Sequence, residues 1–186
     1  MLLGILNSQA AGGGAGAYDL LETTTLTSSA SSVTFSGLGS YSDYAHLQIR
    51  AVAHSTNPSS SGFLQCQVND DTGANYTRHQ LRGSGSSVSS FGNTGNNQAE
   101  IGGISADNAQ ADSFTGFVMD ILDFSSTNKN TTIRSLNGFA NSANNFIYLM
   151  SNLYVSTNAI TKIKFMDNSF DLSAGTRFSL YGIKGA

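Results

Sequence analysis

The stretch Ser113-Phe-Thr-Gly-Phe-Val-Met-Asp-Ile-Leu-Asp-Phe124 decides the fold class. It is the longest apolar run, and it carries no helical period. Under two-residue alternation Phe117, Met119 and Ile121 share one face. Phe114, Gly116, Val118, Asp120, Leu122 and Phe124 share the other. Apolar residues on both faces read as a central strand, with a core on one side and a neighbouring element on the other.

Outward from this strand the chain reads as strand and turn. Strands are expected at 19–27, 33–35, 45–54, 63–68, 76–81, 99–104, 131–139, 145–155, 160–165 and 176–183. Over 45–54, Leu47, Ile49, Ala51 and Ala53 alternate with His46, Gln48, Arg50, Val52 and His54. In 131–139, Ile133 and Leu136 fall out of phase, which a bulge near Arg134–Ser135 would explain. In 145–155, Phe146, Tyr148 and Met150 oppose Ile147, Leu149 and Leu153, a second strand filled on both faces. Pro58 marks a loop at 57–62. The Ser/Gly/Asn stretch 83–97, broken by Val88 and Phe91, reads as a long exposed loop. No window shows a convincing amphipathic helix. Turns every 8–15 residues or so fit an all-β, antiparallel two-sheet sandwich, jelly-roll-like, rather than a parallel βα fold.

Residues 1–17 read as a separate unit. The apolar hook Leu2, Leu3, Ile5 and Leu6 precedes a glycine and alanine spacer that is expected to be flexible. An apolar tip on such a linker is a solubility liability unless it has somewhere to dock. The expectation is an anchoring arm on residues 1–17 and a β-sandwich domain on 18–186. The alternative is a frayed terminus.

Composition narrows the function. The chain has 186 residues, and charged residues make up only 11% of them, so Ser, Thr, Asn, Gln and Gly must supply the polar surface. The net charge is −3 with the nine basic residues scattered, so nucleic-acid binding is not expected. No segment approaches the roughly 20 apolar residues that span a bilayer, and no membrane association is expected. Residues 1–6 lack the basic flank and length of a signal peptide, so synthesis is expected in the cytoplasm. Cys66, the only cysteine, alternates in phase with Leu64 and Val68 and is expected to be a small buried hydrophobe.

The residues that carry chemistry are sparse. His46 and His54 lie about 27 Å apart along a strand and cannot share a metal. His79, Arg78 and Arg82 flank the Asp70–Asp71 turn, which is surface-hairpin patterning. Asn69-x-Asp71-x-Gly73-x-Asn75 lacks the spaced carboxylates of a calcium loop and fits an Asx turn. Asp120 and Asp123 point to opposite faces and form no acid–base pair. No nucleophile elbow or phosphate loop is present. An enzyme, a cofactor and a bound metal are therefore not expected. The residues left for surface recognition are Tyr41, Tyr44, Asn57, Tyr76, Ser87 and Phe91. Tyr41, Tyr44 and Tyr76 have an alternative reading as rim residues of the core or of a subunit interface.

Several phrases resemble tailed-phage virion proteins, notably of phages infecting cyanobacteria and marine bacteria. They are Tyr18-Asp-Leu-Leu-Glu-Thr-Thr-Thr-Leu, Val33-Thr-Phe-Ser-Gly-Leu, Tyr44-Ala-His-Leu-Gln-Ile-Arg-Ala-Val-Ala, Asn69-Asp-Asp-Thr-Gly-Ala-Asn-Tyr and Ala174-Gly-Thr-Arg-Phe-Ser-Leu-Tyr-Gly-Ile-Lys. The resemblance covers most of 18–184 and implies a jelly-roll-like module on the particle surface, often trimeric. Its members look like capsid decoration (cement) proteins or tail-fibre heads. The short hook and spacer, in place of a fibre shaft, favour a decoration protein docked through residues 1–17 on the major capsid protein, other virion proteins or a neighbouring subunit. The alternative is a tail receptor-binding module that recognises a host-surface glycan or protein.

Overall fold

The computed structural model describes residues 17–110 and 112–185; the hook residues Leu2, Leu3, Ile5 and Leu6 lie outside the described residues. Twelve strands are present: β1 Tyr18–Thr25, β2 Val33–Ser36, β3 His46–Ser55, β4 Ser61–Val68, β5 Tyr76–Ser84 and β6 Ser87–Asn96, then β7 Ala99–Ala106, β8 Thr115–Ile121, β9 Thr131–Ala140, β10 Asn145–Tyr154, β11 Lys162–Asp167 and β12 Arg177–Ile183. A 3-10 turn, Leu38–Tyr41, tucks Leu38 into the core. The all-β expectation holds, and most expected strands coincide with observed ones.

The strands form one mixed hydrogen-bonded network. One leg runs β1-β12-β3-β8-β9-β10-β5-β6, and the other runs β2-β11-β4-β7. They join where the end of β3 pairs with the end of β7, His54 with Ser105 and Ser55 with Ala106. This contact is parallel, a departure from the purely antiparallel expectation. It arises because β3 runs out of its own sheet at His54 and meets the second leg there.

The core lies between the legs. Leu47, Ile49 and Ala53 of β3, Phe117, Met119 and Ile121 of β8, and Phe178 and Leu180 of β12 face Leu64, Cys66 and Val68 of β4 and Ile163 and Phe165 of β11. Phe165 stacks on Phe178 at 4.8 Å between ring centres, which ties β11 to β12. A smaller cluster of Phe139, Tyr148 and Met150, with Phe63 and Phe146 against it, fills the region beside β9 and β10.

β7 pairs with β4 on one side but meets β3 only at its last two residues. Elsewhere side chains take the place of a partner strand. Ser135 Oγ donates to the Ile101 carbonyl at 2.6 Å, Asn137 Nδ2 to Gly103 at 2.7 Å and Asn152 Nδ2 to Glu100 at 2.8 Å. Those three polar residues are buried on the inner face of β9 and β10, where an unpaired amide or hydroxyl would be costly.

Three expectations are corrected. The stretch 83–97 is not a loop: Ser87–Asn96 is a full strand that closes a hairpin on β5 through the two-residue turn Gly85–Ser86, with Gly85 at φ 57°. Its small polar residues hid it, because a strand with both faces in water needs no apolar alternation. β9 has no bulge, since it runs in unbroken register with both β8 and β10, Ile133 inward and Leu136 outward. Lastly, β8 and β10 are central in hydrogen bonding but are covered on one face only.

Candidate interaction surface

The outer faces of β8 and β10 carry the apolar residues that periodicity placed against a second neighbour, and among the described residues no element covers them. Cross-strand register sets them in a line. Val118 pairs with Leu136, Leu136 with Leu149 and Leu149 with Leu81. All four point outward and keep 43–51% of their surface exposed. The next row runs Val52, Gly116, Gly138, Ile147, Gly83 and Val88. Ile147 stands over the two glycines beside it, so that a Cβ on Gly83 would fall 2.9 Å from its side chain. Gly116 opens a flat gap between Val52 and Ile147, since nothing lies within 4 Å of a Cβ built there. The surface is therefore an aliphatic ridge beside a glycine-lined shelf.

Charged groups border this surface without entering it. Arg50, paired with Val118 on the β3 side, stacks its guanidinium over the rings of Tyr181 at 4.7 Å and Tyr18 at 5.0 Å. One row along, Gln48 Nε2 donates to Asp120 Oδ1 at 2.8 Å, and Arg134 donates to Asp120 Oδ2 at 3.0 Å. Asp120 thus sits between Gln48 and Arg134 on the outer side of the sheet. An apolar patch with a polar rim is the usual anatomy of a contact surface.

The residues singled out from sequence do not converge. Tyr76 is fully buried, so it is not a recognition residue: its hydroxyl donates to the Asp71 carbonyl at 3.2 Å and accepts from the Val68 amide at 3.1 Å. Burial pushes its hydroxyl pKa up. Tyr41 and Tyr44 pack against the core rim, and Tyr44 donates to Asp19 at 3.0 Å across the face of Gly182. Asn57 holds its own loop, with its side-chain oxygen accepting from Ser59 N at 2.9 Å and its carbonyl from Asp107 N at 3.0 Å. Ser87 and Phe91 are exposed, but on strand β6 rather than on a loop. Phe91 lies under the Arg78 guanidinium at 4.9 Å, away from the aliphatic ridge.

Asp71 and Cys66 hold structure. Asp71 accepts from Gly73 N at 2.8 Å, Asn75 Nδ2 at 2.9 Å and Tyr154 Oη at 2.9 Å, the Asx turn expected there. Asn75 first, then Gly73, hold its carboxyl below the ordinary range. Asn69 and Asp70 take left-handed φ values of 54° and 55° in that turn. Cys66 is fully buried, as expected, and burial pushes its thiol up to about 12.

One constellation contains serine, histidine and aspartate. His54 Nδ1 lies 3.0 Å from Ser173 Oγ and 3.7 Å from Asp107 Oδ1. Both partners address the same ring nitrogen, whereas a proton relay needs them on opposite ones. Among the described residues no group of three His, Cys, Asp or Glu side chains is placed to hold a metal ion, and no helix is long and apolar enough to cross a membrane.

The aliphatic ridge was the site that sequence reading missed, although its signal was present. The double alternation in 113–124 and 145–155 reads as internal packing on both faces, whereas β8 and β10 have one internal face and one open one. Comparison of the chain with protein families, curated proteins and solved structures finds no match.

Proposed function

We propose that this chain is a virion structural protein, a capsid decoration (cement) protein attached to the particle through its N-terminal arm and the apolar face of its large sheet. The observation that carries the reading is the exposed row Val118–Leu136–Leu149–Leu81, a surface suited to being covered. The surrounding chemistry is consistent with a protein that works by contact, because Asp71 is engaged in a turn and Asp19, Asp70, Glu100, Asp120 and Asp123 in ion pairs. The resemblance of phrases across most of 18–184 to tailed-phage virion proteins is the reason the particle is the proposed partner. A jelly-roll-like module and a homotrimer belong to the same proposal.

Immunogold electron microscopy of purified particles, with antibody to residues 18–186, tests it. Regular label over the head supports decoration. Label confined to the tail moves the function to receptor binding, and particles without label remove the virion reading.

A further inference from the structure

A free sheet edge offers unpaired backbone groups to another strand, and proteins usually guard such edges with charge, proline, bulges or shortness. Most edges of this fold are guarded. β1 carries Asp19 and Glu22 and shifts register between Leu20 and Glu22. β2 is four residues long. Where β7 lacks a partner strand, its carbonyls are met by the side chains of Ser135, Asn137 and Asn152. β6 has none of these protections. It is ten residues long, contains no charged residue and no proline, and among the described residues pairs only with β5.

The hairpin fixes which groups are free. Gly85 and Ser86 form a two-residue turn, so Ser84 and Ser87 close it as a hydrogen-bonded pair. Bonds to β5 then fall on Ser87, Ser89, Phe91 and Asn93. The N–H and C=O groups of Val88, Ser90, Gly92 and Thr94 point away from β5. Beyond Thr94 the pairing loses its regular register, with Gly95 at φ 72°. The regular free edge is therefore 88–94, and Phe91 is its midpoint.

That symmetry selects the partner. A second β6, run antiparallel about a two-fold axis at Phe91, sets Val88 opposite Thr94 and Ser90 opposite Gly92, with the same pairs repeated across the axis. All four free residues of each chain are used. A shift of two residues either way leaves one of them opposite the turn or the irregular end. The pairing makes about eight backbone bonds, close to the roughly ten of a standard interface. Phe91 meets its own counterpart in a non-hydrogen-bonded pair, where side chains lie closest. It is about half exposed in the single chain, and aromatic cross-strand pairs are favourable. No like charges are brought together, because β6 has none. The contact is about 24 Å long and one sheet, about 10 Å, deep, which is well under the ~800 Å² a side of a stable interface. The dimer is accordingly weak and fills as concentration rises.

We infer that β6 is an association edge for a second copy of this chain, the two strands pairing antiparallel about Phe91 to extend the sheet. Its basis is the free edge alone, so it stands independently of the virion reading, and particle labelling leaves it untouched.

Sedimentation and amide exchange of the full chain test it. Between about 10 μM and 1 mM the mean mass should rise from one chain towards two. Exchange at the amides of Val88, Ser90, Gly92 and Thr94 should slow about tenfold or more over that range, while Ser89 and Phe91, already bonded to β5, change little. Ser90→Pro removes an edge N–H that β5 does not use, so the variant should stay monomeric with its sheet circular dichroism intact. Oxidised glutathione reads the register. Phe91→Cys should cross-link chain to chain, whereas Val88→Cys, about 20 Å from its counterpart, should not. Cys66 is buried and takes no part. A mass that stays at one chain up to 1 mM overturns the inference. So does association that leaves the four amides exchanging fast, that survives Ser90→Pro, or that cross-links Val88→Cys in preference to Phe91→Cys.

Discussion

Asn137 and Gly102 are close neighbours: the Asn137 amide fills the space that a side chain at Gly102 would take and donates to the neighbouring Gly103 carbonyl at 2.7 Å. A Cβ at Gly102 would overlap the amide oxygen, and the backbone there takes φ 138°, a region that only glycine occupies freely. Gly102→Ala should therefore cost about 3 kcal/mol or more, combining backbone strain with loss of the Asn137 bond. Gly116→Ala, with open space around it, should change stability by less than about 1 kcal/mol. Urea unfolding midpoints of the two variants check the contrast, and equal midpoints would remove the role given to this contact.

The Asp71 turn predicts an acid response. Its folded carboxyl titrates below its unfolded value of about 3.9, so the stabilisation is fully present above that pH. It is lost as pH falls through the lowered folded value. Asp71→Asn should then cost about 1–2 kcal/mol at neutral pH, since its partners lose a charged acceptor. The difference from the parent should shrink below pH ~4. A pH series of denaturant titrations reads this directly; a difference that grows in acid would reverse the sign assigned here.

The aliphatic row can be separated from the fold. Leu136→Lys and Leu149→Lys together replace side chains about half exposed, so thermal stability should fall by no more than about 1 kcal/mol. Under the virion function proposed above, attachment to particles lacking the protein should be lost, as co-sedimentation would measure. Wild-type attachment by a folded double variant would exclude the row as contact surface.

Cys66 provides a probe of global opening. With no exposed surface and its thiol pushed up to about 12, it should resist a thiol reagent in the native state. It should react at the rate at which the core unfolds, so that labelling and global unfolding share one denaturant dependence. Fast labelling in water, without loss of sheet structure, would place Cys66 outside the cooperative core.

The fold and the surface were legible to different degrees. Leu47, Ile49, Met119 and Cys66 are buried where alternation placed them, because a side chain's face follows from its parity along a strand. The Asp71 turn was legible for a similar reason, since the donors that satisfy its carboxylate are two and four residues away. Strand β6 was not, because Ser87–Asn96 has water on both sides and no apolar period to announce it.

Sequence alone determined the all-β class, the strand parities, the local turns and the two doubly apolar strands, all set by interactions between near neighbours. Tertiary structure alone decided what those apolar faces meet. Which strands lie beside β8 and β10 fixes whether Val118, Leu136 and Leu149 line up, and whether anything packs over them. Pairings such as Leu136 with Val118 and Leu149 with Leu81 join residues far apart in the chain. Burial of a side chain depends on the summed positions of such distant partners. For that reason Tyr76 became core, and the outer half of the chain's most apolar strands became surface.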